Sequence, residues 1–200
     1  MSSMKIVIVS GLLGVGKTSV ILKMLDPLMS DGAKVAVIEN DFGAMGVDSE
    51  VLEKNGMKVR DLKGGCICCT MQGSLMDSLV SLKNEYAPDI VVIEPTGIAD
   101  PEFIVGSVNA FPGIDLEAVH VSAIVDCERF LKVQKMFERP LKNQLKLSDV
   151  AKLNKIETVS SEDLEKIESA IRALGYDGPI RRVRGDTGEG IPEAVAEMKI

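Results

Sequence analysis

Two clusters in this 200-residue chain combine residue types and spacings that can do chemistry. The first is Gly11-Leu12-Leu13-Gly14-Val15-Gly16-Lys17-Thr18-Ser19, directly after the β-forming run Ile6 to Val9. It reads G-x-x-x-x-G-K-T, a phosphate-binding loop pattern set between a strand and a helix. Gly11, Gly14 and Gly16 let the backbone curl so that its N–H groups turn inward, where phosphate oxygens can accept from them. Lys17 supplies a point charge for the β- and γ-phosphates, and the Thr18 hydroxyl can ligate Mg²⁺. A helix opening near Lys17 adds its positive N-terminal end. A nucleoside triphosphate or diphosphate is the ligand expected on Gly11 and Gly14 to Ser19.

The second cluster is Cys66-Ile67-Cys68-Cys69, preceded by Gly64-Gly65. In an extended segment residues i and i+2 point the same way, so Cys66 and Cys68 can grip one ion, and Cys69 can join if the backbone turns. Thiolate sulfur selects Zn²⁺, Cu⁺ or similar thiophilic metals, with a carboxylate, His or water as fourth ligand. Adjacent Cys68 and Cys69 make a poor disulfide framework, so metal chemistry is the expectation, and a redox pair or plain burial of small side chains are the alternatives. Cys127 stands alone after a strand and is expected to pack in the core. His120, the chain's one histidine, is expected to be a satisfied structural residue.

The elements that position these clusters follow from periodicity. Val20, Ile21, Met24, Leu25 and Leu28 recur at helical spacing after the glycine loop, and Ser30-Asp31-Gly32 ends that helix. Lys34 to Ile38 and Asp89 to Glu94 are short apolar runs that read as buried strands, and Met57 to Arg60 reads as a short edge strand. Leu75, Leu79 and Leu82 mark a helix from about Gln72 to Asn84. Asp100-Pro101 has the form of an N-cap followed by proline at the first helical position. Val119 to Val125, Asp149 to Leu153 and Pro179 to Val183 are further strands, with a helix from Ser160 to Leu174 and a short one from Pro192. Continuous rather than alternating apolar strands, separated by helices, predict an α/β fold: a mostly parallel central sheet with helices on both faces. In such a sheet the loops at the strands' carboxyl ends form the binding edge, which gathers Glu39 to Gly43, Glu94 to Gly97, Asp126 and Asn154-Lys155 around the glycine loop.

Composition narrows the function classes. The chain is 46% hydrophobic and 26% charged, the balance of a soluble α/β protein, and it lacks Trp. A net charge of −7 argues against nucleic acid as a partner, because phosphate backbones need a cationic face. No run approaches the roughly 18 apolar residues of a membrane span. The apolar N-terminal run is followed at once by Lys17 without a small-residue cleavage site, so it reads as a first strand and the expected location is cytoplasmic.

Taken in order, GLLGVGKT, ENDFG, GGCICC, EPTG and LNK resemble the CobW-type GTPases, which stand with the HypB and UreG proteins among P-loop metallochaperones. The resemblance runs from about Met4 to Glu193 and implies one P-loop GTPase domain over residues 1–200. It implies GTP and GDP as ligands, Mg²⁺ at Thr18, and Zn²⁺, with Co²⁺ or Ni²⁺ as alternatives, on Cys66, Cys68 and Cys69. Glu39 and Asp41 fall in the family's metal- and switch-linked segment. Glu94 falls in the loop near the γ-phosphate, where an acidic group acts on Mg²⁺ or on attacking water alongside the catalytic Lys17. Asn154 and Lys155 begin the guanine-reading N-K-x-D motif, and VRGDTGEG, Val183 to Gly190, resembles the loop behind the base. Three departures stand out. The motif's carboxylate is Glu157, one methylene longer than aspartate; position 44 is Ala where relatives commonly carry a second metal-binding Glu; and many CobW-type proteins continue into a second domain and a histidine-rich stretch. The implied partner is a client metalloenzyme, with a homodimer formed on metal or nucleotide binding. Rival readings are an accessory NTPase handling cobalt or corrinoids, a small-molecule kinase, and a nucleotide-binding metal store or redox sensor.

Overall fold

A computed structural model of the chain describes residues 3–39, 58–61, 71–198 and 200, the side chains of 58–61 and 71–74 excepted. Asp41, Ala44, Cys66, Cys68 and Cys69 lie outside the described residues.

The element order is β1 (Met4–Ser10), α1 (Lys17–Leu28), β2 (Val35–Glu39), β3 (Lys58–Asp61), α2 (Met71–Glu85), β4 (Ile90–Glu94), α3 (Pro101–Ala110) and β5 (Leu116–Asp126). There follow α4 (Phe130–Val133), α5 (Glu138–Lys146), β6 (Val150–Asn154), a 3₁₀ turn (Ile156–Thr158), α6 (Ser161–Ala173), β7 (Ile180–Arg182) and α7 (Ile191–Ala196). The strands form one seven-stranded sheet in the order β3-β2-β4-β1-β5-β6-β7, and every pairing in it is parallel. The short edge strand expected at Met57 to Arg60 is β3, Lys58–Asp61, at the edge of the sheet; Met57 lies outside the described residues.

The near-continuous apolar strands are buried because both faces are covered. Val7, Val9, Val37 and Val92 pack with α1 and α7 on one face through Val20, Ile21, Met24, Leu25, Ala194 and Val195. Ile6, Ile8, Ile38, Val91 and Ile93 pack on the other face against Leu75, Leu79 and Leu82 of α2 and Ile104 and Val108 of α3. Val125, Ala151 and Leu153 extend that second face under α5 and α6. Asp100 caps α3, accepting from the Glu102 amide at 3.0 Å. Ser160 likewise caps α6, accepting from the Asp163 amide at 3.1 Å.

The expected layout differs from the structure between residues 111 and 148. β5 begins at Leu116 rather than Val119, and α4 and α5 fill a stretch that carries no periodic signal. Only Leu141 and Leu145 on α5 bury apolar side chains, with Gln144 between them, so the helix has one short stripe in a strongly polar sequence. The chain leaves β4 on one side of β1 and returns through β5 on the other, so strand order reverses at the carboxyl end of β1. An open parallel sheet offers its binding crevice at such a point.

Candidate functional site

The glycine loop leaves β1 at this reversal, and its carbonyls are taken one after another by its own Lys17 and by side chains from elsewhere in the chain. Leu12 O lies 3.5 Å from Lys17 Nζ, Leu13 O accepts from Arg129 Nη2 at 2.7 Å, Gly14 O accepts from Lys155 Nζ at 3.2 Å, and Val15 O accepts from Asn154 Nδ2 at 2.9 Å. A curled loop whose carbonyls are held outward is left with its N–H groups toward the concave side, the arrangement of an anion-binding nest. Gly16, in the left-handed region at φ 88°, caps α1; a β-carbon there would lie 2.5 Å from Asn154 Nδ2. Glycine therefore serves both the turn and the close approach of Asn154.

Asp126, at the end of β5, ties this brace together. Its buried carboxylate accepts from Lys155 Nζ at 2.7 Å and from Arg129 Nε at 3.0 Å. Two cations and their hydrogen bonds compensate the burial of one charge. Arg129 carries no motif in the sequence; a single arginine after a strand offers no periodic or spacing signal. Lys155 stands at φ 61°.

On the other side of the loop, Thr18 Oγ1 lies 2.9 and 3.0 Å from the two oxygens of Glu94, and Lys17 Nζ is 3.9 Å from Glu94 Oε1. Glu94 ends β4, which pairs directly with β1, and Glu39 ends β2 at the register position opposite Glu94. A hydroxyl beside carboxylates is an all-oxygen donor set, which suits Mg²⁺ rather than a thiophilic ion. Gly97 presses against the glycine loop: a β-carbon there would sit 2.4 Å from the Leu13 amide nitrogen. Gln144 Nε2 donates to Gly97 O at 3.0 Å and Asn143 Nδ2 to Asp100 Oδ2 at 2.7 Å, so α5 holds the Glu94 to Asp100 loop in place. Sequence reasoning missed both residues, because one amide on a buried helix face looks like any other polar residue.

Asn154 is buried and uses both ends of its carboxamide: Nδ2 goes to Val15 O, and Oδ1 accepts from Gly185 N at 2.8 Å. It thus joins the glycine loop to the Val183 to Gly190 turn. Glu157, in the 3₁₀ turn, has Oε2 3.4 Å from Arg184 Nε. Of the residues singled out in the sequence, those from Gly11 to Ser19 converge with Glu94, Asn154 and Lys155, with Glu39 beside Glu94 in the sheet register and Glu157 beside the turn that Asn154 holds. Asp41 and the three clustered cysteines fall outside the described residues.

Cys127 is buried, and that burial, reinforced by Asp126, pushes its thiol up to about 12, which fits core packing. His120 is only half satisfied. Its Nδ1 lies 3.5 Å from Asp149 Oδ2 while its buried Nε2 has no partner among the described residues, and burial pushes the imidazole down to about 4. A cavity of about 370 Å³ lined by His120, Asp149 and Met198 opens at the opposite, amino-terminal edge of the sheet, away from the motif residues.

Comparison with known proteins bears on this geometry. A family model described as CobW/HypB/UreG, nucleotide-binding domain, matches residues 5–181. The zinc chaperone YeiR of Escherichia coli (strain K12) is 31% identical over 176 residues, covering 85% of this chain and 52% of the relative. The zinc-regulated GTPase metalloprotein activator 1 of Dictyostelium discoideum is 27% identical over 214 residues, covering 88% of this chain and 44% of the relative. The chain thus spans about half the length of these curated relatives. Among solved structures, the hydrogenase maturation factor HypB from Archaeoglobus fulgidus superposes with a TM-score of 0.70 at 19% identity, over 98% of this chain and 88% of that one. At that identity the likeness is one of fold.

Proposed function

The chain belongs to the CobW/HypB/UreG nucleotide-binding domain family, and we propose that it binds and slowly hydrolyses GTP in order to carry a transition metal, zinc first, to a client metalloenzyme. The observation that carries the nucleotide half of this reading is the loop from Leu13 to Val15, whose successive carbonyls are each held by a side chain from outside the loop. Lys17 would neutralise the β- and γ-phosphates and Thr18 with Glu94 would hold Mg²⁺, which would supply further neutralisation of phosphate charge. Glu94, half-buried beside Lys17, orients the region where the γ-phosphate leaves, and Asn154 keeps the base side and the phosphate side of the site in one register. Hydrolysis is slow because Arg129 and Gln144 are already engaged by Leu13 O, Asp126 and Gly97 O.

The metal half rests on Cys66, Cys68 and Cys69 and on the relatives' names, with Glu39 and Asp41 between the glycine loop and the cysteines in sequence. GTP would order that segment and its hydrolysis would release it, changing the thiolate site's hold on its cargo. The relevant experiment measures GTP turnover and bound zinc for the wild type, for Lys17→Ala and for the triple variant Cys66→Ala/Cys68→Ala/Cys69→Ala. Turnover lost in Lys17→Ala and zinc lost in the cysteine variant support the reading. GTP turnover that survives Lys17→Ala, or full zinc content without the cysteines, contradicts it.

A further inference from the structure

The turn from Val183 to Gly190 lies next to Asn154 and so beside the place where a nucleotide base would rest. Five backbone donors between Arg184 and Glu189 are engaged within the protein. Arg184 N donates to Glu189 O at 2.9 Å, Gly185 N to Asn154 Oδ1 at 2.8 Å, Thr187 N to Asp186 Oδ1 at 2.8 Å, Gly188 N to Arg184 O at 2.8 Å and Glu189 N to Thr187 Oγ1 at 3.4 Å. A base edge arriving here also meets side chains. The guanidinium of Arg184 is forked onto Asp186, with Nε–Oδ1 at 3.2 Å and Nη2–Oδ2 at 2.8 Å. Nε also lies 3.4 Å from Glu157 Oε2, and Nη1 lies 3.8 Å from Glu189 Oε2. Arginine has five N–H donors in a rigid fork, so these partners fix its plane without exhausting it.

We infer that Arg184 is a specificity-determining residue of the nucleotide site, forming with Glu157 a composite edge of two acceptors and a donor that selects guanine. Guanine presents a 2-amino donor, an N1–H donor and the O6 acceptor in a row. The Glu157 carboxylate takes the two donors and the neighbouring guanidinium takes O6, a contact arginine also makes with guanine O6 in duplex DNA. Adenine offers an acceptor at N1 and a donor at N6, so both partners would face the wrong group and stay unsatisfied. The arrangement also accounts for the extra methylene of Glu157: the ion pair with Arg184 holds a side chain that would otherwise have more freedom than aspartate. The inference rests on the guanine-nucleotide reading above.

Calorimetric titration of the chain with Mg²⁺ and the diphosphates of guanosine, inosine, adenosine and 2,6-diaminopurine riboside separates the contacts. Inosine keeps O6 and loses the 2-amino group, whereas diaminopurine keeps the 2-amino group and replaces O6 with a donor. Arg184→Ala should weaken GDP and IDP alike by about 10- to 100-fold and leave the two amino-purine diphosphates unchanged. Glu157→Gln should weaken GDP more than IDP. Arg184→Lys, which keeps the charge but not the fork, should fall between wild type and Arg184→Ala, and it carries the test if the alanine variant does not fold. Equal losses on all four ligands, or an unchanged preference for GDP over the diaminopurine diphosphate in either variant, overturn the role of Arg184 and leave the guanine reading standing. A wild type that binds GDP no tighter than ADP overturns both.

Discussion

Replacing Lys152 with Met should stabilise the chain by an amount that depends on pH. Lys152 lies on β6, two residues before Asn154, and is 0% exposed. Its Nζ is 3.6 Å from Met24 Sδ on α1 and 3.8 Å from Met198 Sδ just beyond α7. Among the described residues no carboxylate pairs with it, and thioether sulfur is a weak acceptor. Burial therefore pushes the ammonium down from 10.5 to about 8. The unfolded chain keeps the ordinary value, so between pH 8 and 10.5 it binds more protons than the folded chain, and stability rises with pH across that window. Below pH 8 both forms are protonated and the cost of burying the charge is present in full. At about 1.4 kcal/mol per pH unit, that cost is roughly 3 kcal/mol. Met has a similar length and no charge to bury. With a urea slope of about 2 kcal/mol per molar, Lys152→Met should raise the unfolding midpoint by roughly 1.5 M at pH 7, with the gain shrinking steadily from pH 8 to 10. Urea titrations of both proteins at pH 7, 8, 9 and 10 read this directly. A midpoint difference that does not change with pH, or a Met variant less stable than wild type at pH 7, would refute the reasoning.

Asn154→Ala leaves Val15 O and Gly185 N without their partner, each at a cost of about 1–3 kcal/mol if kept from water, so the variant should melt lower and bind GDP at least about 10-fold more weakly in a fluorescent-nucleotide titration. Gly97→Ala places a carbon against backbone rather than a yielding side chain, and displacing the glycine loop should cost about 1–3 kcal/mol by denaturant titration and lower GDP affinity as well. His120, as the one histidine, gives a single imidazole signal, which should stay flat from pH 8 to 6 and titrate near 4. Its folded value is depressed below 6.5, so its contribution to stability is present above that pH and declines as pH falls toward 4; an NMR midpoint near 6.5 would contradict the burial.

What could be read before the structure follows from how signals are written in a chain. The strands and α1, α2 and α6 were legible because their apolar residues repeat at the period of the element and face one core, as Val20, Ile21, Met24 and Leu25 do. The glycine loop could be singled out because the chemistry proposed for it is local: glycines, lysine and threonine must be adjacent in sequence to surround one phosphate. Arg129, Gln144 and Arg184 were hidden for the converse reason. Each acts on a backbone or carboxylate group brought near by the sheet order, and one polar residue on a loop or short helix has no neighbour in sequence that announces its partner. Lys152 was hidden more deeply, since a strand position two residues before a motif gives no warning that it faces α1 and α7. His120 was expected to be satisfied, yet among the described residues only Nδ1 has a partner, and no spacing in the sequence signals which nitrogen of a lone buried histidine is left over.

The claim that the nucleotide governs metal carriage is tested most directly by measuring zinc affinity in competition with a chelator, once with GDP and Mg²⁺ bound and once with a non-hydrolysable GTP analogue and Mg²⁺. Linkage requires that any difference in zinc affinity between the two states be matched by an equal ratio of nucleotide affinities with and without zinc. A coupling of about 5-fold or more, equal in both directions and abolished in Cys66→Ala/Cys68→Ala/Cys69→Ala, is the expected result. Identical zinc affinities in the two nucleotide states would contradict the account.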